Sequence, residues 1–144
     1  MRTFHIYTDA SSKDTSMFPQ GVKRTTKVGV IVVNSCIVDI YYNRKEEYID
    51  GNQAEAQAIV ESVNYVKSNY GFTNNIIIST DAYVNIINFK SIKKLIKDGI
   101  KIIHVKGHKP YRKGLKYKFN CLADWISRNG IYTWRNYYYR HLLK

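Results

Sequence analysis

At 144 residues the chain has room for one hydrophobic core and not for two ordinary domains, and an apolar content of 44% excludes wholesale disorder. The formal charge of +12 favours a polyanionic partner, nucleic acid before an anionic membrane surface, although an AT-rich coding sequence would also enrich Lys, Asn, Ile and Tyr. No stretch approaches the roughly 18 uninterrupted apolar residues of a membrane span, and the opening MRTFHIYTDASS lacks a secretory apolar region, so a cytoplasmic protein with no membrane partner is expected.

In chain order, residues 3–8 (TFHIYT) alternate as a strand does, with Phe4 and Ile6 facing away from His5 and Tyr7. Residues 9–27 are polar, carry Pro19 and Gly21, and read as a long turn or loop. VGVIVV (28–33) and CIVDIYY (36–42), separated by Asn34-Ser35, read as a hairpin. The period then changes: across 52–70, Ile59, Val63, Val66 and Tyr70 share one helical face, with Gly71 as the stop. IIIST (76–80) suits a buried central strand, and 82–98 reads as helix, in one or two pieces, ending before Gly99. IKIIHV (100–105) is a further strand, and NCLADWISR (120–128) a helix with Asn120 at its cap. Cys36 and Cys121 lack metal-ligand spacing and are expected to be reduced, buried thiols. In the tail, 131–144, helical spacing of Trp134, Tyr138 and Leu142 predicts packing on the core. The order β-β-β-α-β-α-β-α predicts an α/β protein, a single domain over 1–144, with a mixed five-stranded sheet whose first three strands are antiparallel and whose faces carry helices.

Four of the eleven acidic residues fall at the ends of elements, where mixed sheets place their functional crevice. Asp9 ends the first strand, Glu55 lies in the first turn of the long helix, Asp81 ends the buried strand, and Asp124 sits in the helix after a basic stretch. Each has a local reading as well. Glu55 could close a capping box with Asn52, Asp81 could cap the next helix, Asp9 could make a turn, and Asp124 could face solvent.

The segments IYTDAS (6–11), NQAEAQAIVESV (52–63), ISTDAYVNII (78–87), IHVKGH (103–108) and NCLAD (120–124) together resemble type 1 ribonuclease H, in that family's order and across nearly the whole chain. The resemblance implies a ribonuclease-H-like fold and hydrolysis of the RNA strand of RNA–DNA hybrids, leaving 5′-phosphate and 3′-hydroxyl ends. Asp9, Glu55, Asp81 and Asp124 would be the catalytic metal-binding carboxylates, with Asp9 bridging, Glu55 and Asp81 on the leaving-group side and Asp124 on the nucleophile side. His108 would be the loop histidine, moving a proton or loosening product contacts. All-oxygen ligands suit Mg²⁺, with Mn²⁺ as a substitute, two per site and roughly 3.5–4 Å apart. Asn52 and Gln53 carry the donors and acceptors needed to read a 2′-hydroxyl, and Asn52 is the better placed of the two.

The chain departs from the family in three places. The glycine-rich turn after Asp9 is replaced by the longer SKDTSMFPQGVKRTTK (12–27). The segment between Asp81 and His108 has no room for an extra helix and basic protrusion, and the loop between His108 and Asn120 is longer than the family pattern. Lys106, Lys109, Arg112, Lys113 and Lys116, with Asn120 at the far end, could supply the missing grip on phosphates, with the alternative that the loop is merely solvated. A free-standing monomer is expected. Two other readings remain: a nuclease of the same fold acting on branched or single-stranded DNA, and a non-catalytic nucleic-acid-binding module.

Overall fold

The computed structural model describes residues 2–15, 22–106, 115–138 and 140. Five strands form one sheet: β1 (Thr3–Thr15), β2 (Val22–Val33), β3 (Cys36–Glu46), β4 (Asn75–Thr80) and β5 (Lys101–His104), in the order β3-β2-β1-β4-β5. β1–β2 and β2–β3 pair antiparallel, while β1–β4 and β4–β5 pair parallel, so the expected mixed sheet is present. The helices are α1 (Gly51–Tyr70), α2 (Tyr83–Ile86), α3 (Lys90–Lys97), α4 (Leu115–Asn129) and α5 (Trp134–Tyr137), with a 3₁₀ turn at Ile131–Thr133.

The period-2 alternation of the central strands divides the apolar side chains between two cores. Phe4, Ile6, Ile31, Ile76, Ile78 and Ile102 meet Ile59, Val63 and Val66 of α1 and Ile92 of α3 on one face. On the other face Tyr7, Val28, Val30 and Val32 meet Phe119, Leu122 and Ile126 of α4, with Trp134 and Tyr138 of the tail packed alongside. Each such aliphatic or aromatic side chain contributes about 1.5–3 kcal/mol when fully buried. α1 lies close on β2 because residue 29 is glycine: a Cβ there would stand 2.8 Å from Ser62 Cβ. The β2–β3 hairpin turns on Asn34 (φ 52°) and Ser35 (φ 62°), both in the left-handed region that a tight two-residue hairpin requires.

Four sequence expectations are corrected. The polar stretch after Asp9 is not a loop throughout: β1 continues to Thr15 and β2 begins at Val22, with unbroken antiparallel register from Ala10↔Lys27 to Thr15↔Val22. Polar composition concealed a strand pair that projects past the end of β4. The cap of α1 is Asp50, not Asn52; its carboxylate accepts from the Gln53 N–H at 2.8 Å while the Gln53 side chain accepts from the Asp50 N–H at 3.1 Å. α4 starts at Leu115, so Asn120 is a buried mid-helix residue and not a cap. Both cysteines are free, but Cys36 is exposed on an edge strand and Cys121 is only partly covered. The split of 82–98 into α2 and α3 and the packing of Trp134 and Tyr138 follow the expectation, while Leu142 lies outside the described residues.

Candidate metal centre and nucleic-acid interface

The parallel register of β1 and β4 runs through Tyr7↔Ser79. Two residues further along come Asp9, within β1, and Asp81, just past the end of β4, side by side. α1 enters from the other face, and its first turns bring Glu55 to the same point. One carboxylate oxygen from each of Asp9, Glu55 and Asp81 lies within 4.8 Å of the others. The Ala10 N–H is donated to Asp9 Oδ1 at 2.9 Å and to Glu55 Oε1 at 3.3 Å, which ties strand and helix together. Capping by Asp50 leaves Glu55 free of the local role it could have had, and the N-cap position of α2 is Ala82 and not Asp81.

Asp124 approaches from α4. Its Oδ1 pairs with Arg128 Nε at 3.2 Å, one helical turn on. Ser127 Oγ contacts Asp9 Oδ2 at 3.4 Å and donates to the Asp124 carbonyl at 2.8 Å. Asp81, Asn120, Asp124, Trp125, Arg128 and Tyr137 line a cleft of about 510 Å³ that opens onto these acids.

Burial pushes the Asp9 carboxyl well above the ordinary range. The charge of Glu55 and hydrogen bonds toward Glu55 and Asp124 add to this, and the charge of Asp81 adds further. Glu55 is pushed up to about 7, first by burial and further by Asp81 and Asp124, against the opposing hydrogen bonds from Asp9 and the Ala10 N–H. Glu55 Oε2 is buried without a donor group against it; the Asp9 carboxyl facing it can donate only when protonated. Buried carboxylates converging on one point suit a hard divalent ion, and an all-oxygen set suits magnesium or manganese better than zinc.

The amides and cations named from sequence distribute unevenly. Asn52 and Gln53 are exposed in the first turn of α1, and Gln53 is occupied by the capping box. Asn120 lines the cleft beside Asp81 and Asp124. Lys106 is exposed just past β5. His108, Lys109, Arg112 and Lys113 lie outside the described residues, as does the side chain of Lys116 at the start of α4. Sequence reasoning missed Ser11, Ser127 and Arg128. The spacing of Ser127 and Arg128, three and four residues after Asp124, was the available signal, since it puts them on one helix face.

Solved structures share this fold. A ribonuclease H1 isolated from compost by a metagenomic approach, LC11-RNase H1, matches with a TM-score of 0.64 at 12% identity over 92% of this chain and 98% of that one. The N-terminal RNase H domain of rv2228c from Mycobacterium tuberculosis matches with 0.62 at 12% identity, over 95% and 99%. The foamy viral protease-reverse transcriptase, solved with double-stranded DNA, matches with 0.59 at 20% identity, over 92% and 96%. No protein-family model and no curated protein sequence matches the chain. The chain therefore has the ribonuclease-H-like fold, and it carries an acidic cluster at the carboxyl end of that fold's central strands.

Proposed function

We propose that the chain is a type 1 ribonuclease H, a metal-dependent endonuclease that hydrolyses the RNA strand of RNA–DNA hybrids and leaves 5′-phosphate and 3′-hydroxyl ends. The convergence of Asp9, Glu55 and Asp81 within 4.8 Å, with Asp124 lining the adjoining cleft beside Asp81, carries this reading. LC11-RNase H1 has been solved in complex with an RNA/DNA hybrid, at a TM-score of 0.53 and 12% identity over 76% of this chain, which supports the choice of substrate.

Asp9, Glu55, Asp81 and Asp124 would hold two divalent cations, magnesium with manganese as the substitute. Bound cations of this kind polarise the scissile phosphate, activate a water and neutralise the departing oxygen. The protein's own residues do the rest. Asp9 is fixed at the centre by the Ala10 N–H and Ser127. Arg128 orients Asp124. Asn52 is the exposed amide left to read a 2′-hydroxyl, since Gln53 is engaged in the helix cap. Asn120 lines the approach, Lys106 and the cations 109–116 attract the backbone, and His108 moves a proton near neutral pH. The chain acts as one domain and as a monomer.

The test offers RNA–DNA hybrid, double-stranded RNA, DNA duplex and a four-way junction with Mg²⁺ or Mn²⁺. Hybrid is expected to be cut in its RNA strand alone, and Asp9→Asn to lose cleavage while retaining binding. Junction cleavage with intact hybrid would overturn the assignment. No cleavage of any substrate, with binding intact, would leave a binding module.

A further inference from the structure

Past Asp9, the β1–β2 pair and the end of β3 form an arm that extends beyond β4. On the α4 side of this arm, Ser11, Lys13, Arg24, Thr26 and Arg44 meet the last turn of α4 around a hollow of about 190 Å³. Its cations are Lys13, Arg24, Arg44 and Arg128, and none of the described residues lining it is a carboxylate. Arg24 leans outward on Glu46 at 3.7 Å and Arg128 on Asp124 at 3.2 Å. Lys13 and Arg44 are exposed, and neither has an ion-pair partner among the described residues. Two of the four cations, Lys13 and Arg44, thus lack a carboxylate among the described residues to balance them, and Arg guanidinium groups match phosphate oxygens in geometry.

The hollow is mechanically tied to the acidic centre. Ser11 Oγ donates to the Ser127 carbonyl at 2.6 Å, and the hydroxyl of the same serine contacts Asp9. At about 3.3 Å per strand residue, Ser11 and Lys13 stand about 7 and 13 Å beyond Asp9. With an axial spacing of about 3.4 Å per nucleotide in one strand, that distance spans about two to four nucleotides.

The geometry points to this hollow as a phosphate pocket that grips the polynucleotide backbone about two to four nucleotides from the phosphate placed at Asp9, and so sets which bond reaches the carboxylates. The inference rests on the reading of a polynucleotide as substrate. It gives the lengthened, lysine-bearing stretch after Asp9 a task, that of presenting Lys13 and Arg24 beside Arg44.

The test uses the full chain carrying Asp9→Asn and a 16-base-pair RNA–DNA hybrid, with binding followed by fluorescence anisotropy from 50 to 200 mM salt. Adding Lys13→Ala and Arg44→Ala is expected to lower the salt slope by about two, making the loss of affinity over that range about 12-fold smaller. Lys90→Ala with Lys97→Ala on α3 removes the same charge far from the arm and is expected to leave the slope nearly unchanged. A scan with single methylphosphonate linkages should find a position where neutralisation weakens the parent and has no effect on the Lys13/Arg44 variant. An equal effect from the α3 pair, or no such position, overturns the pocket. In that case, hybrid cleavage by the wild-type chain would leave the nuclease reading standing. Pocket-dependent binding without cleavage under any divalent cation would sink the nuclease reading and leave the pocket. No hybrid binding at all would sink both.

Discussion

Asp9, midway along β1, and Glu55 of α1 face one another, their carboxylates joined through the Ala10 N–H, which both accept. Both carboxyls are raised above their ordinary range, Glu55 from 4.5 to about 7. A carboxyl whose folded pKa is raised stabilises the fold fully below its unfolded pKa, and that contribution is lost as pH rises through the folded value. The contribution from Glu55 in metal-free protein is therefore expected to disappear between about pH 4.5 and about 7. Divalent cations bind the deprotonated site, so Mg²⁺ should raise the thermal midpoint more at pH 8 than at pH 5 relative to EDTA. An equal shift at both pH values would count against the carboxylates as the metal site.

The same burial and repulsion predict that Asp9→Asn stabilises the metal-free protein at neutral pH, since the amide carries no charge and keeps an acceptor for the Ala10 N–H. Urea unfolding in EDTA measures this directly. A destabilised variant would mean that Asp9 is held by attractive contacts and not against them.

Lys27 is 1% exposed and pairs with Glu47 at 3.0 Å and Glu61 at 3.4 Å. Asn43 donates to the second Glu61 oxygen at 3.1 Å. Lys27→Met would leave two carboxylates facing each other with no cation and is expected to cost about 3–5 kcal/mol. Adding Glu47→Gln and Glu61→Gln should recover most of that loss. Failure of the triple variant to recover would show that the lysine stem, and not its charge, holds the site.

Gly29→Ala is expected to destabilise the fold by about 1–3 kcal/mol, because the new methyl collides with Ser62 on α1. Ser62→Ala should relieve part of the strain and not all of it, since the Ser62 Cβ also lies too close, at 2.8 Å. Chemical denaturation of the two single variants and the double variant gives the coupling.

Asp9 and Asp81 are legible in the sequence because each follows a strongly patterned stretch: apolar alternation in β1 runs up to Asp9, and the apolar run of β4 leads to Asp81. The cap of α1 is harder to read, since Asp50-x-x-Gln53 and Asn52-x-x-Glu55 are overlapping patterns of the same chemistry. The first forms, which leaves Glu55 for the acidic cluster. The arm beyond Asp9 is hidden for a different reason. Its residues are mostly polar, including the buried Thr25, Thr26 and Lys27, so no apolar alternation marks the pairing.

Composition, strand alternation and the spacing of four carboxylates determined the class of sheet, the helix order and the acidic residues, because these depend on local periodicity. Tertiary structure alone decided the rest: that Asp9, Glu55 and Asp81 share one point in space, that Asn120 is buried within a helix, and that Lys13, Arg24, Arg44 and Arg128 enclose one hollow. These are properties of register and packing between segments far apart in the chain. Such relations follow from which face each element buries, and a one-dimensional pattern of residue types does not carry the distance between them.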